Sequence, residues 1–162
     1  MTKIESREQY EWALSRIEAL VNDVTEEIDR ILMERFAKDS LISLATAVEN
    51  KPYVRTVDAF YADRAFYVLT YALSNKMKQI ARNPNVAVSG DWFTATGKGI
   101  TLGYFCKEEN KEIAEKMRTY FAEWIDNGHN NFEDENTIIL QIKLDNGTIV
   151  VNNEWIDIDF TE

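Results

Sequence analysis

The stretch Ser74-Asn75-Lys76-Met77-Lys78-Gln79-Ile80-Ala81-Arg82 gathers three cations into nine residues and then stops at Asn83-Pro84. Read as a short helix, it has Ser74 at the N-cap and Lys76 in the first turn. The first amides of a helix have no intrahelical partner, and the dipole favours an anion beside them. A serine hydroxyl can donate to a phosphate oxygen, and a lysine one turn in adds a full charge. Thr70, at the end of the preceding apolar run, offers a second hydroxyl. Arg55 sits mid-strand in YVRTV, where neighbours are half buried and an unpaired cation is costly. A phosphate would satisfy Arg55, Thr70, Ser74 and Lys76 together. The plainer alternative is that Ser74 only caps the helix and that the lysines and Arg82 are solvated.

These residues need a scaffold. Residues 7–36 read as helix, with Ile17, Leu20, Val21, Val24, Ile28, Ile31 and Leu32 at three- and four-residue spacing. Asp23 with Glu26 could cap a second helix within that run. From Leu41 the pattern turns to strands: LISLATAVE, then YVRTVDAFYA and AFYVLT joined at Asp63-Arg64. After the short helix, VAVSGDWF and GITLGYFC read as a strand pair separated by TATGKG. A second helix is expected over 107–126, with Ile113, Met117, Tyr120, Phe121 and Trp124 as its apolar stripe. TIILQIKL and TIVVNN then suggest a hairpin turning at Asp145-Asn146-Gly147. Strands in hairpin succession, with helices inserted, predict a mainly β, α+β domain built on an antiparallel sheet or barrel. One domain is expected over 1–162, with a helical segment over 1–38 and the barrel over 39–162.

Composition narrows the function. With 18 basic and 28 acidic residues, net charge −10, the chain is not expected to bind nucleic acid or an anionic membrane. No run approaches the length of a membrane span. The single cysteine, Cys106, excludes an internal disulfide, and a cytoplasmic location is expected. GDWFTATGKGIT is not a phosphate-binding P-loop, because six residues separate Gly90 from Gly97 and Gly99 follows Lys98. His129 reads as an exposed loop residue, Cys106 as a buried small one, and Glu133-Asp134-Glu135 lacks calcium-loop spacing. No metal site is expected.

The segment PYVRTVDAFYADRAFYVLTYALSNKMKQIARNPNVAVS resembles the core of the pyridoxamine 5′-phosphate oxidase-like family of flavin-binding split barrels. The resemblance spans roughly residues 28–105 and rests on an ordered set: a strand arginine, a strand-end threonine, S-x-K and NP-x-V. It implies a six-stranded antiparallel split barrel and a homodimer with FMN at the subunit interface. It implies that Arg55, Ser74 and Lys76 hold or flank the FMN phosphate. Thr70 would lie near the cofactor, and Arg55, Thr56 and Val57 would run along the flavin. Asn75 stands where the family often has arginine. Trp92 and Phe93 would pack near the isoalloxazine ring, or in barrel core or dimer packing. The expected activity is that of an FMN-dependent oxidoreductase acting on a small molecule or electron donor. A flavin or haem carrier or sensor of the same fold is the rival. The oxidase's own substrate clamp includes an arginine-rich C-terminal segment, whereas VVNNEWIDIDFTE is acidic and contains no arginine.

Overall fold

A computed structural model describes residues 6–161. Its contacts divide the chain into two compact units, one ending at Glu34 and one beginning at Arg35. Helix α1 (Arg7–Phe36) is continuous, so Asp23 and Glu26 do not start a second helix. Just beyond these residues Arg30 bridges Glu27 and Glu34 at 2.7 and 2.6 Å, on helical i,i+3 and i,i+4 spacing.

The second unit is a closed barrel. Strands β1 (Ser40–Val48), β2 (Lys51–Ala62), β3 (Ala65–Tyr71), β4 (Asn85–Gly90), β5 (Phe93–Tyr104) and β6 (Thr137–Val151) run in the order β3-β2-β1-β4-β5-β6, and β3 closes on β6. Every pairing is antiparallel. The extra strand β7 (Glu154–Asp159) continues along the edge of β6 beyond the part taken by β3. The six-stranded barrel that the family resemblance implies is therefore present, with one strand added.

Two turns lie elsewhere than expected. TATGKG is strand, not turn: β5 begins at Phe93 and alternates buried and exposed residues through it. The reversal occurs one step earlier, at Asp91 and Trp92, both at positive φ (42° and 57°) as a two-residue hairpin turn requires. Asp145-Asn146-Gly147 is also strand. The register against β5 slips there, with Thr96 opposite Asn146 and Gly97 opposite Leu144, so Asp145 is the extra residue of a β-bulge. Gly147 serves close approach, since a Cβ there would stand 2.8 Å from the Thr94 carbonyl oxygen. The true hairpin turn is Asn152-Asn153, with φ of 51° and 65°.

The barrel interior is aromatic. Phe66 meets Phe36 edge-on at 5.3 Å and Phe93 at 6.2 Å. Helix α3 (Lys111–Tyr120) is shorter than expected and follows a 3₁₀ turn at Glu108–Asn110. Met117 and Phe121 are fully buried against a second cluster with Phe60, Phe105 and Ile139. Among the described residues no helix is long and apolar enough to cross a membrane.

Candidate anion site at the start of helix α2

Helix α2 (Asn75–Arg82) buries Met77 and Ile80 and packs on β1. Ile80 also lies over Gly99 of β5, where a Cβ would stand 2.9 Å from its Cγ2. This close seating fixes where Ser74, Lys76 and Gln79 point.

Arg55 pairs with Leu44 in the β1–β2 register, so its side chain lies on the inner face, under α2. One Nη donates to Thr46 Oγ1 at 2.9 Å and to the Leu44 carbonyl at 3.3 Å. The other donates to Gln79 Oε1 at 2.6 Å, which also accepts from Thr46 Oγ1 at 2.7 Å. Thr46 is only 2% exposed. The expectation that Arg55 needs a partner is thus met from within the chain. Yet all three partners are neutral. They orient the guanidinium and leave its charge in place.

Lys76 is half-buried, and among the described residues no hydrogen bond or ion pair reaches it. Burial, and then the charge of Arg55, pull its ammonium below the ordinary lysine value. Burial also lowers Arg55. Among the described residues neither cation is paired with a carboxylate, and Lys76 feels the charge of Arg55. Ser74 completes the set. It is the N-cap of α2, yet its hydroxyl makes no cap hydrogen bond. Its Oγ is buried and has no hydrogen-bond partner among the described residues. Buried polar atoms are rarely left so, and each needs a reason. An oxyanion accepting from Ser74 and lying between Lys76 and Arg55 would satisfy the hydroxyl and neutralise the pair.

This arrangement makes a test that needs no ligand. Replacing an N-cap serine by alanine usually costs about 0.5–2 kcal/mol, through the lost cap bond. Here no such bond exists. Ser74→Ala instead removes an unsatisfied buried hydroxyl, so the ligand-free protein is expected to gain about 1 kcal/mol in urea unfolding. A loss of that size would show that the hydroxyl has a partner.

The other sequence-predicted residues divide. Thr70 lies near the end of β3, opposite Ile138, immediately before the turn in which the Ser74 amide donates to the Tyr71 carbonyl at 3.0 Å. Asn75 is exposed at the first position of α2. Val57 shares the inner face with Arg55 and is buried, whereas Thr56 pairs with Ser43 and faces outward. Trp92, 73% exposed, sits at the end of β4 away from α2, where its carbonyl accepts from the Val150 amide at 2.9 Å. Within one chain it is not brought to the Arg55 cluster. Sequence reasoning missed Thr46 and Gln79. Gln79 follows Lys76 by three residues on one face of α2, a spacing that could have flagged it.

The outer face of the same sheet forms a broad concavity of ≈ 690 Å³. Ser43, Ala45, Ala87, Ser89, Thr96 and Thr148 line it, small residues contributed by four strands. It holds no cation, and its one carboxylate, Asp157, accepts from Thr148 Oγ1 at 2.8 Å.

Comparison with known proteins agrees with this architecture. No curated protein sequence matches the chain. Among solved structures, general stress protein 26 from Bacillus anthracis superposes with a TM-score of 0.60 at 20% identity, covering 81% of this chain and 98% of its own. An FAD-binding protein from Mesorhizobium loti gives 0.57 at 15%, covering 72% and 88%. A haem-binding protein from Mycobacterium smegmatis gives 0.58 at 13%, covering 77% and 54%. At these identities the likeness concerns the fold. The family model for pyridoxamine 5′-phosphate oxidase matches residues 25–150, most of the chain, and the chain belongs to that family.

Proposed function

We propose that the chain is an FMN-binding oxidoreductase that acts on a small molecule or electron donor, as a cytoplasmic homodimer with flavin at the subunit interface. The observation that carries this reading is the buried Ser74 hydroxyl, unpartnered among the described residues, two positions before Lys76, which feels the charge of Arg55 and, like it, has no ion pair among those residues. Its donors suit a phosphate monoester, and FMN is the phosphorylated flavin. Ser74 and Lys76 would hold the phosphate directly. Arg55 would supply charge at one side, held in place by Gln79 and Thr46. When bound, FMN supplies hydride or single-electron transfer, and the chain binds and orients it. Thr56, Val57, Thr70 and Asn75 are proposed to border the cofactor, and Trp92 to reach it or the interface in the dimer.

The concave outer face supports the dimer part of the reading. Its side chains are small, and Val54 on its rim is 71% exposed. Light scattering of the flavin-loaded protein at micromolar concentration is expected to give twice the mass of one chain. A single-chain mass would overturn the interface.

A haem role would want an axial ligand. His129 is exposed as expected, Cys106 is exposed rather than buried as its residue type suggested, and neither belongs to a group of potential metal ligands among the described residues. The absorption spectrum and mass of whatever co-purifies distinguish flavin from haem. Turnover of the bound flavin by a reduced nicotinamide then separates an enzyme from a carrier.

The named oxidase reaction is not expected. A second phosphate needs its own cationic clamp. At the C-terminus the chain instead offers β7, with Glu154, Asp157 and Asp159 all exposed. In a steady-state assay with pyridoxamine 5′-phosphate and oxygen, formation of pyridoxal 5′-phosphate should stay far below about one turnover per second. Turnover at that rate with a micromolar KM would show that a clamp exists.

A further inference from the structure

Helix α1 carries a regular apolar pattern along its first five turns. Tyr10, Leu14, Ile17, Val21, Val24 and Ile28 follow one another at alternating spacings of four and three. That is the a/d seam of a coiled coil, which repeats every seven residues. Ile28 is 6% exposed, but the five residues before it lie between 38% and 56% exposed on a helix that could bury them. Leu20, 62% exposed, flanks the same seam. A contiguous apolar stripe of this kind marks an interaction surface.

We propose that residues 10–24 of α1 pair in parallel, in register, with the same residues of a second copy of this chain. The flanking charges favour this occupant and this orientation. In a parallel pair each g position meets the e position five residues further along the other helix. Ser6 then meets Glu11, Ala13 meets Glu18, and Leu20 meets Thr25, so every glutamate faces an uncharged residue. An antiparallel pair that keeps Leu14, Ile17, Val21 and Val24 in the seam sets Glu18 beside its own copy. A lipid surface is disfavoured, because interfacial helices carry a basic polar face. Between Arg7 and Val24 the charges are Arg7 and Arg16 against Glu8, Glu11, Glu18 and Asp23. The seam belongs to α1 alone and does not rest on the flavin assignment.

Cross-linking in the full chain tests it. Cys106 is exposed and is first replaced, as Cys106→Ser, so that it cannot cross-link. In that background Val21→Cys places a thiol at an a position. In a parallel pair it meets its own copy within roughly the 4.4–6.8 Å Cα separation that a disulfide spans. Glu26→Cys lies on the outer side of the helix and serves as the reference. Under mild oxidation at micromolar concentration, Val21→Cys is expected to form the two-chain disulfide at least tenfold faster than Glu26→Cys. Adding Ile17→Asp should return it to the reference rate while leaving FMN binding unchanged. Equal rates for Val21→Cys and Glu26→Cys would overturn the pairing, whether the stripe then meets lipid, another protein or solvent. Faster linkage of Val21→Cys to Ile17→Cys than to itself would overturn the parallel register.

Discussion

FMN is expected to bind at least about a hundredfold more tightly than riboflavin. The two ligands differ only by the phosphate, so the ratio reads the Ser74–Lys76–Arg55 site alone. A charge-assisted hydrogen bond is worth about 1.5–3 kcal/mol, and two such contacts net of desolvation give roughly 3 kcal/mol, or two decades. Lys76→Ala should remove about 1–3 kcal/mol of FMN affinity and leave riboflavin nearly unchanged. Ser74→Ala should weaken FMN while stabilising the free protein, a pairing of signs that general damage to α2 would not produce. Gln79→Ala tests the support. It removes the acceptor that holds one arm of Arg55 at 2.6 Å, and it should lower FMN affinity less than Lys76→Ala does. Equal affinities for FMN and riboflavin, titrated by quenching of flavin fluorescence, would sink the phosphate assignment.

The same site predicts a pH dependence. In the free protein the Lys76 pKa is depressed below its ordinary value of 10.5. Between the depressed value and the ordinary one, the unfolded chain holds more protons than the folded chain. Stability of the free protein therefore rises with pH across that window, being lowest where folded Lys76 is fully charged. A bound phosphate favours the charged ammonium, so binding takes up a proton. FMN affinity should accordingly fall as pH rises through the window, with riboflavin affinity flat. Parallel titrations from neutrality to about pH 10 make the comparison. An FMN affinity that rises with pH would mean that Lys76 does not meet the phosphate.

The parts of this site that could be read in advance were those governed by local rules. Ser74 before a short amphipathic run that ends at Asn83-Pro84 identifies a helix start, and Lys76 follows by position. Arg55 stood out because a cation in an apolar strand demands an explanation. What the sequence could not supply was the neutral triangle around Arg55. Thr46 and Gln79 lie 9 and 24 residues from Arg55 and meet it only once α2 is seated on β1. The burial that leaves the Ser74 hydroxyl unpartnered is likewise a tertiary fact.

The same division explains the misplaced turns. Asn-Gly and Gly-rich segments are turn signals because glycine tolerates positive φ. In this barrel Gly97 and Gly147 lie within strands without a left-handed φ and are small for another reason: neighbouring strands come too close for a Cβ. Propensity cannot separate those two uses of glycine. Meanwhile Asp91-Trp92 and Asn152-Asn153 make real turns with no glycine at all, their left-handed dihedrals held by the strands on either side.

Gly97 is accordingly the position where one added methyl should cost most. It pairs with Val86 on one side and, across the bulge, with Leu144 on the other. A Cβ would stand 2.2 Å from the carbonyl oxygen of Lys143, 3.0 Å from its carbon and 3.1 Å from the Leu144 Cα. All three are backbone atoms of β6, so no rotamer change can relieve the contact. β5 and β6 must move apart where β6 is also held by β3 and β7. Ordinary overpacking costs about 1–3 kcal/mol, usually relieved by side chains. Without that relief, Gly97→Ala should cost about 3–5 kcal/mol, a large share of the 5–15 kcal/mol that holds a typical domain. Two other glycines calibrate the result. Gly99→Ala meets the Cγ2 methyl of Ile80 at 2.9 Å and should cost less, since a side chain can yield where strand backbone cannot. Gly103→Ala meets nothing within 4 Å, and its φ of +77° leaves only the left-handed penalty, about 1–2 kcal/mol. Urea unfolding of the three variants should rank Gly97 as the most destabilised. A loss at Gly97 below about 1 kcal/mol would mean that β5 and β6 are not pressed together at the bulge. The close approach, and with it the strand that seats Gly99 beneath Ile80 of α2, would then have to be drawn differently.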